Sequence, residues 1–204
     1  MSTSGRRVGR PRAQPRPDSG LSPRQELLAA AAELFTTHGY TATTTRAVAE
    51  RAGMRQASMY HYVGGKEDLL AELLEGTVTP SLALARTLLV DGSRPAERRL
   101  WELCRFDVEL LCAGPHNLGA LYLLPEVRAP RFAPFRAARA DLKSAYAALL
   151  AATEAGAALP PDEFAVRADL LFALIEGVIL IPRPPAPALP TATADAALRL
   201  SAAS

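Results

Sequence analysis

The chain has little to build strands with: 9 Val and 3 Ile stand against 40 Ala and 31 Leu in 204 residues. Ala and Leu lead the helix scale while β-branched residues favour strands, so the composition predicts an all-α protein. Cysteine is also scarce, with only Cys104 and Cys112. Eight residues apart on one predicted helix, they sit about 12 Å from each other, beyond disulfide reach. They are expected as reduced core residues of a cytoplasmic protein, a thiol sensor being the alternative. The three histidines, His38, His61 and His116, share no ligand-like spacing with each other or with cysteine, which argues against a metal site. Long hydrophobic runs are missing too. The longest apolar stretch, residues 170–181, has 12 residues and is interrupted by Glu176. A bilayer span needs about 20, so this stretch is expected to be a buried helix and no membrane partner is expected. The first twenty residues lack the apolar segment of a secretory signal. No phosphate-cradling glycine loop, nucleophile elbow or HExxH pair occurs, so neither an enzyme nor a cofactor is expected.

What is present is unevenly placed. The net charge is +2, yet residues 1–70 hold 10 basic against 6 acidic groups and the remainder 13 against 15. Residues 1–20 carry Arg6, Arg7, Arg10, Arg12 and Arg16 with three prolines and almost nothing apolar. They read as a disordered basic arm. Gly9-Arg10-Pro11-Arg12 has the pattern of a thin segment for a narrow minor groove, a plain tail being the alternative.

Ser22-Pro23-Arg24-Gln25 then opens a first helix over about 22–38, with Ser22 as N-cap, Pro23 at the first turn, Gln25 completing a capping box and Gly39 beyond the end. Residues 44–62 read TTRAVAERAGMRQASMYHY. Val48 and Ala52 share one helix face, and Ala49 is small enough for a second helix to approach. Gly53 supplies a turn that needs positive φ. Met54, Met59 and Tyr62 are expected to form the apolar side of a short second helix. This is the pattern of a helix-turn-helix whose second helix enters the major groove. Thr44 or Thr45 can cap its first helix and face a phosphate. Arg46 is either a phosphate contact or part of a solvated face. Arg55, Gln56 and Ser58 stand where base edges are read, Arg55 matching guanine and Gln56 adenine.

Gly64-Gly65 precede a longer helix from Lys66, with Glu67 and Asp68 in its first turn and Pro80 expected to kink or end it. Ser93 is expected to cap a helix carrying Leu100, Trp101, Leu103 and Cys104, stopped by Gly114-Pro115. A broken region around Pro125, Pro130 and Pro134 leads to an Ala-rich helix over 131–155. Another starts at Pro160-Pro161 and runs to about Ile181. Five prolines in residues 182–190 form a semi-rigid connector to a terminal helix at about 191–202.

Gly39-Tyr40, Thr43-Thr44-Thr45-Arg46, Val48-Ala49-Glu50-Arg51-Ala52-Gly53, Ser58-Met59-Tyr60-His61-Tyr62 and Lys66-Glu67-Asp68-Leu69-Leu70 together resemble the DNA-binding domain of the tetracycline-repressor (TetR) family over about 22–75. The resemblance implies an all-α fold: an N-terminal three-helix helix-turn-helix DNA-binding domain (21–68, after the 1–20 arm) and a C-terminal helical bundle (69–204) for effector binding and dimerisation. It also places Tyr60 and Tyr62 near the DNA backbone and Lys66 on a phosphate. His61 is either a phosphate contact or a packing residue. The implied function is a ligand-responsive repressor that binds palindromic operator DNA as a homodimer and is released by a small-molecule, largely apolar effector. The alternative is an architectural DNA-binding protein that uses the basic arm and no effector.

Beyond the helix-turn-helix the aromatics are few, and Trp101, Phe106, Tyr122, Phe132, Phe135, Tyr146 and Phe172 are the candidates to line an effector pocket. Arg105, His116, Asn117 and Glu176 are candidates to orient a ligand. Glu176, flanked by Leu174, Ile175, Val178 and Ile179, is costly to bury unpaired. It marks the pocket, pairs with an arginine or lies at a wet dimer edge. The helix near 162–181 and the terminal helix are the elements the resemblance assigns to the dimer interface.

Overall fold

The structure, a computed structural model, describes residues 20–201. Among these residues no strand occurs, in keeping with the shortage of β-branched side chains. Helix α1 (Pro23–Thr37) begins as its sequence demands: the Ser22 hydroxyl accepts the Gln25 N–H, while the Gln25 side chain accepts the Ser22 N–H at 2.9 Å. It ends at His38, and Gly39 follows at φ +85°. Helix α2 (Thr45–Arg51) is capped by Thr44, whose hydroxyl accepts the Ala47 N–H at 3.1 Å. Gly53 then turns the chain at φ +75° into α3 (Gln56–Met59), a single turn. Leu27, Val48, Ala49 and Met59 are completely buried where α1, α2 and α3 meet. Tyr62 departs from expectation. It lies beyond α3 and is 42% exposed, and Val63 takes the core position instead. A single-turn helix offers too few positions to bury both.

Helix α4 (Lys66–Gly76) ends before Pro80, not at it. The chain breaks at Thr77-Val78, and Pro80 sits in the first turn of α5 (Thr79–Val90), where its missing N–H costs nothing. The stretch Lys66–Val90 is long and apolar enough by composition to cross a bilayer. Its leucines are used in the core, Leu69, Leu70, Leu74 and Leu88 being fully buried. Helix α6 (Ala96–Cys112) is capped at Pro95. Ser93 bonds Asp91 in the preceding turn, correcting its expected capping role. Three 3₁₀ turns (Leu118–Leu123, Pro125–Arg128, Pro130–Phe132) lead into α7 (Ala133–Ala151). Thr153 then caps the short α8 (Glu154–Ala157), so the expected helix over 131–155 is two. Helix α9 (Pro161–Glu176) continues as a 3₁₀ turn, Gly177–Leu180, and α10 (Leu189–Ser201) closes the described chain. Helices α5, α6, α7 and α9 pack as a bundle, and α10 lies across α6 and α9. There Ala194 and Ala197 are fully buried and the Trp101 indole donates to Asp195 at 2.8 Å.

The 170–181 stretch is only half buried. Leu171, Phe172 and Ile175 face the core, whereas Leu170 is 49% and Leu180 73% exposed, as is Val166 one turn earlier at 58%. A helix at the bundle edge has one face against its neighbours and another left open.

One carboxyl group among the described residues lies in the bundle interior. Asp107 accepts hydrogen bonds from Ser81 at 2.8 Å and Tyr146 at 3.0 Å. Burial outweighs both bonds and pushes its carboxyl up to about 6. Burial also pushes the Cys104 thiol up, disfavouring the thiolate.

Candidate nucleic-acid interface and ligand cleft

The α2–α3 unit presents a connected polar surface. The Thr45 hydroxyl accepts from the Gln56 amide at 2.9 Å and lies 3.5 Å from the Tyr60 hydroxyl, tying the start of α2 to both ends of α3. Thr44, Arg46, Arg55, Gln56, Tyr60, His61 and Tyr62 are exposed, and Thr45, Ser58 and Lys66 are half-buried. The side chain of Arg55, at the N-cap of α3, forms no hydrogen bond or ion pair among the described residues, while its carbonyl accepts from the Ser58 and Met59 amides. Arg46 pairs with Glu50 at 2.8 Å, one turn along α2. Such an exposed pair exchanges readily for a phosphate. Lys66 also has partners within the chain. Its ammonium donates to the carbonyls of Tyr40 at 2.9 Å and Thr43 at 3.0 Å and rests 4.2 Å from the Tyr40 ring centre. It staples the loop before α2 to the start of α4, with one N–H left over. Arg10 and Arg12 lie outside the described residues.

The unit is fastened to the bundle at several points. Arg24 on α1 forms an ion pair with Glu72 on α4 at 2.5 Å and donates to the Tyr62 carbonyl at 2.9 Å. Thr41 donates to Glu126 at 3.0 Å, and Arg131 reaches Asp68 at 2.8 Å. Glu126 and Arg131 belong to the proline-punctuated segment 125–132, which therefore runs as a strap along the helix-turn-helix.

The inner side of that strap borders a cleft of about 510 Å³, lined by the strap, α7 and the end of α9. Tyr122, Leu124, Val127, Phe135 and Ile179 supply apolar wall, and Arg128, Arg136, Arg139 and Glu176 supply charge. The Arg139 guanidinium holds both carboxylate oxygens of Glu176, its Nε at 2.5 Å, and lies over the Phe172 ring at 5.3 Å. The arginine partner expected as one reading of Glu176 is thus Arg139. Arg136 donates from one nitrogen to the carbonyls of Val127 at 2.6 Å and Ala129 at 2.9 Å, pinning the strap. The Tyr122 hydroxyl lies 2.5 Å from that of Thr77.

Of the aromatic candidates, Tyr122 and Phe135 line the cleft, while Phe132, Tyr146 and Phe172 are buried in the core around it. Trp101, Arg105 and Phe106, on α6, do not line it. Trp101 is bonded to α10, with Arg98 stacked 4.4 Å from its ring centre. Asn117 is structural, donating to the Ile179 carbonyl at 2.6 Å. His116 lies with Glu33 and Arg51 in a shallow groove between α1 and the loop after α6. The sequence reading passed over Arg128, Arg136 and Arg139. Their signal was a run of arginines among the aromatics of 122–139, and arginines on a helix read as solvated.

A helix-turn-helix fastened to a helical bundle with a ligand-sized cleft defines a class of regulatory protein. Residues 27–73 match the family described as bacterial regulatory proteins, tetR family. The HTH-type transcriptional repressor KstR2 of Mycobacterium tuberculosis is 39% identical over 77 residues, which is 38% of this chain and 38% of that protein. The match therefore spans about two fifths of the curated relative's length. The crystal structure of Mycobacterium smegmatis AmtR is similar throughout, with a TM-score of 0.83 and 48% identity, covering 94% of this chain and 91% of that one. The structure of AibR in complex with isovaleryl coenzyme A and operator DNA has a TM-score of 0.69 at 17% identity, covering 87% of this chain and 96% of that one, a likeness of fold. The chain belongs to the tetR family of bacterial regulatory proteins.

Proposed function

We propose that this protein is a cytoplasmic, effector-released transcriptional repressor that binds palindromic operator DNA as a homodimer. Residues 21–68 serve as the DNA-binding domain and 69–204 as the effector and dimerisation domain. The observation that carries the reading is the strap 125–132. One side borders the cleft through Pro125, Val127 and Arg128, and the other is bonded to Thr41 and Asp68 of the helix-turn-helix region. A ligand that reshapes the cleft thereby changes the seating of the DNA-reading unit. It shifts the protein between two states only to the extent that it binds them unequally. Arg55, Gln56 and Ser58 are assigned to base edges. Thr44, Thr45, Arg46, Tyr60, His61 and Tyr62 are assigned to the backbone. The open face of α9, with Val166, Leu170 and Leu180, is the surface for the second copy, since monomers rarely leave apolar patches uncovered.

The test is a random-pool DNA selection with the purified protein, followed by sedimentation of the complex. A palindrome with half-sites about one helical turn apart, bound by two copies, is the expected result. Enrichment of no palindrome sinks the repressor reading.

The strap makes a separate prediction. Thr41→Val removes the bond to Glu126, an exposed contact of about 1 kcal/mol. Operator affinity of the unliganded protein should change no more than about fivefold, while the factor by which effector lowers it should shrink. Fluorescence anisotropy with and without effector reads both numbers. An undiminished effector response would remove Thr41 and Glu126 from the coupling.

A further inference from the structure

The cleft was expected to favour a largely apolar effector, but its charges point elsewhere. Four charged side chains border it, three guanidiniums and one carboxylate. Arg139 is neutralised by Glu176, to which it gives two parallel bonds. Arg136 uses one nitrogen on the strap carbonyls, and its other nitrogens have no partner among the described residues. Arg128 is exposed, with no hydrogen bond or ion pair among them. Two unneutralised cations therefore share a rim with an apolar wall of Tyr122, Leu124, Val127, Phe135 and Ile179. Low-dielectric walls focus the field of such charges into the space between them. Guanidinium groups bind carboxylate and phosphate through paired N–H donors.

We infer that this cleft takes an organic oxyanion, a carboxylate or phosphate carried on an apolar body, with Arg128 and Arg136 receiving the head and Glu176 as its internal competitor for Arg139. The inference rests on the effector-binding reading above and names its ligand class. The Arg139–Glu176 pair already shows the bond an incoming oxyanion would make. A head held by Arg128 and Arg136 also competes with Glu176 for Arg139; it loosens the tie between α7 and the end of α9 while its contacts to Arg128 and Arg136 pull on the strap. Binding and the conformational signal thus use the same guanidiniums.

The probes are octanoate, octyl phosphate, octanamide and octylammonium, compared by isothermal titration calorimetry with the full chain. Octanoate or octyl phosphate, whichever head fits, should bind at least tenfold more tightly than octanamide, and octylammonium should not bind. Arg128→Gln, at an exposed side chain whose loss leaves the fold intact, should weaken the preferred anion about three- to tenfold. Glu176→Gln removes the competitor and should strengthen anion binding several-fold. A Glu176 that merely braced the helices would give weaker or unchanged binding on the same replacement. Octanamide binding as tightly as both anions, an Arg128→Gln protein with unchanged anion affinity, or failure of all four probes to bind would overturn the inference. Operator release is read separately by anisotropy. An anion that binds as described but leaves operator affinity untouched upholds the ligand class and removes the effector role proposed above.

Discussion

Replacing Arg55 by alanine should lower affinity for the selected operator at least thirtyfold and relax the preference at one base pair of each half-site. The basis is additive: a bidentate arginine–guanine contact contributes about 1–3 kcal/mol of discrimination, and a homodimer loses two. The protein itself should be untouched. The Arg55 side chain forms no bond among the described residues, and as N-cap of α3 it supplies no side-chain cap to lose. Thermal midpoints of the two proteins should therefore agree. Arg46→Ala is the contrasting control. It breaks an exposed pair with Glu50 and should weaken all sequences about equally while flattening the salt dependence by about one ion per half-site. Equal loss across specific and nonspecific DNA on replacing Arg55 would move that residue to the backbone class.

The second large effect concerns stability and pH. The Asp107 carboxyl is held up at about 6 in the folded chain by burial, against 3.8 for a free aspartate. Between about pH 4 and pH 6 the folded state keeps a proton that the unfolded state has released. Stability on this group's account is full below pH 4, falls as pH rises through 6, and is then level, the whole drop being about 3 kcal/mol. Asp107→Asn removes the titration and keeps the geometry. Its Oδ1 still accepts from Ser81, and the Tyr146 hydroxyl can accept from the new amide while donating to the Leu103 carbonyl, now 3.4 Å away. The variant should therefore gain about 3 kcal/mol on the parent between pH 4 and pH 7, read from urea midpoints. Carboxylates that bonds to arginine and serine hold low, such as Asp91 and Glu33, act in the opposite direction but cancel between the two proteins. A stability difference that does not change with pH would place the charge of Asp107 outside the folding equilibrium.

The DNA-reading half was legible because its signals are local. The Ser22–Gln25 box, the Thr44 cap and the positive φ of Gly53 each depend on residues within three or four positions. The stapling role of Lys66 was not legible because its partners, the carbonyls of Tyr40 and Thr43, are set by how a loop folds back on α4. The cleft was legible only in part for the same reason. Size and hydrophobicity select aromatics that fill space, and Phe132, Tyr146 and Phe172 do so in the core rather than on the wall of the cleft. What gives the cleft its character is Arg139 meeting Glu176 from 37 positions away. Pairing at that distance leaves no periodic trace. The 170–181 stretch shows the converse error. An apolar run was taken as wholly interior when only one of its faces is buried and the other, with Leu170 and Leu180, is open.

The four residues of α3 limit how much sequence the protein can read. If, as proposed above, Arg55, Gln56 and Ser58 each specify about one base pair, a half-site carries roughly 6 bits and a palindrome roughly 12. Finding one address among the 10⁶ or more competing positions of a genome takes about 20. The missing 8 or so bits then come from features that α3 does not touch: the distance and rotation between the two half-sites, and the shape and deformability of the DNA. On that reading, part of the operator's identity is written in spacing rather than in letters. A small change in the separation of two short helices erases that part of the message without altering a single base contact within either half-site.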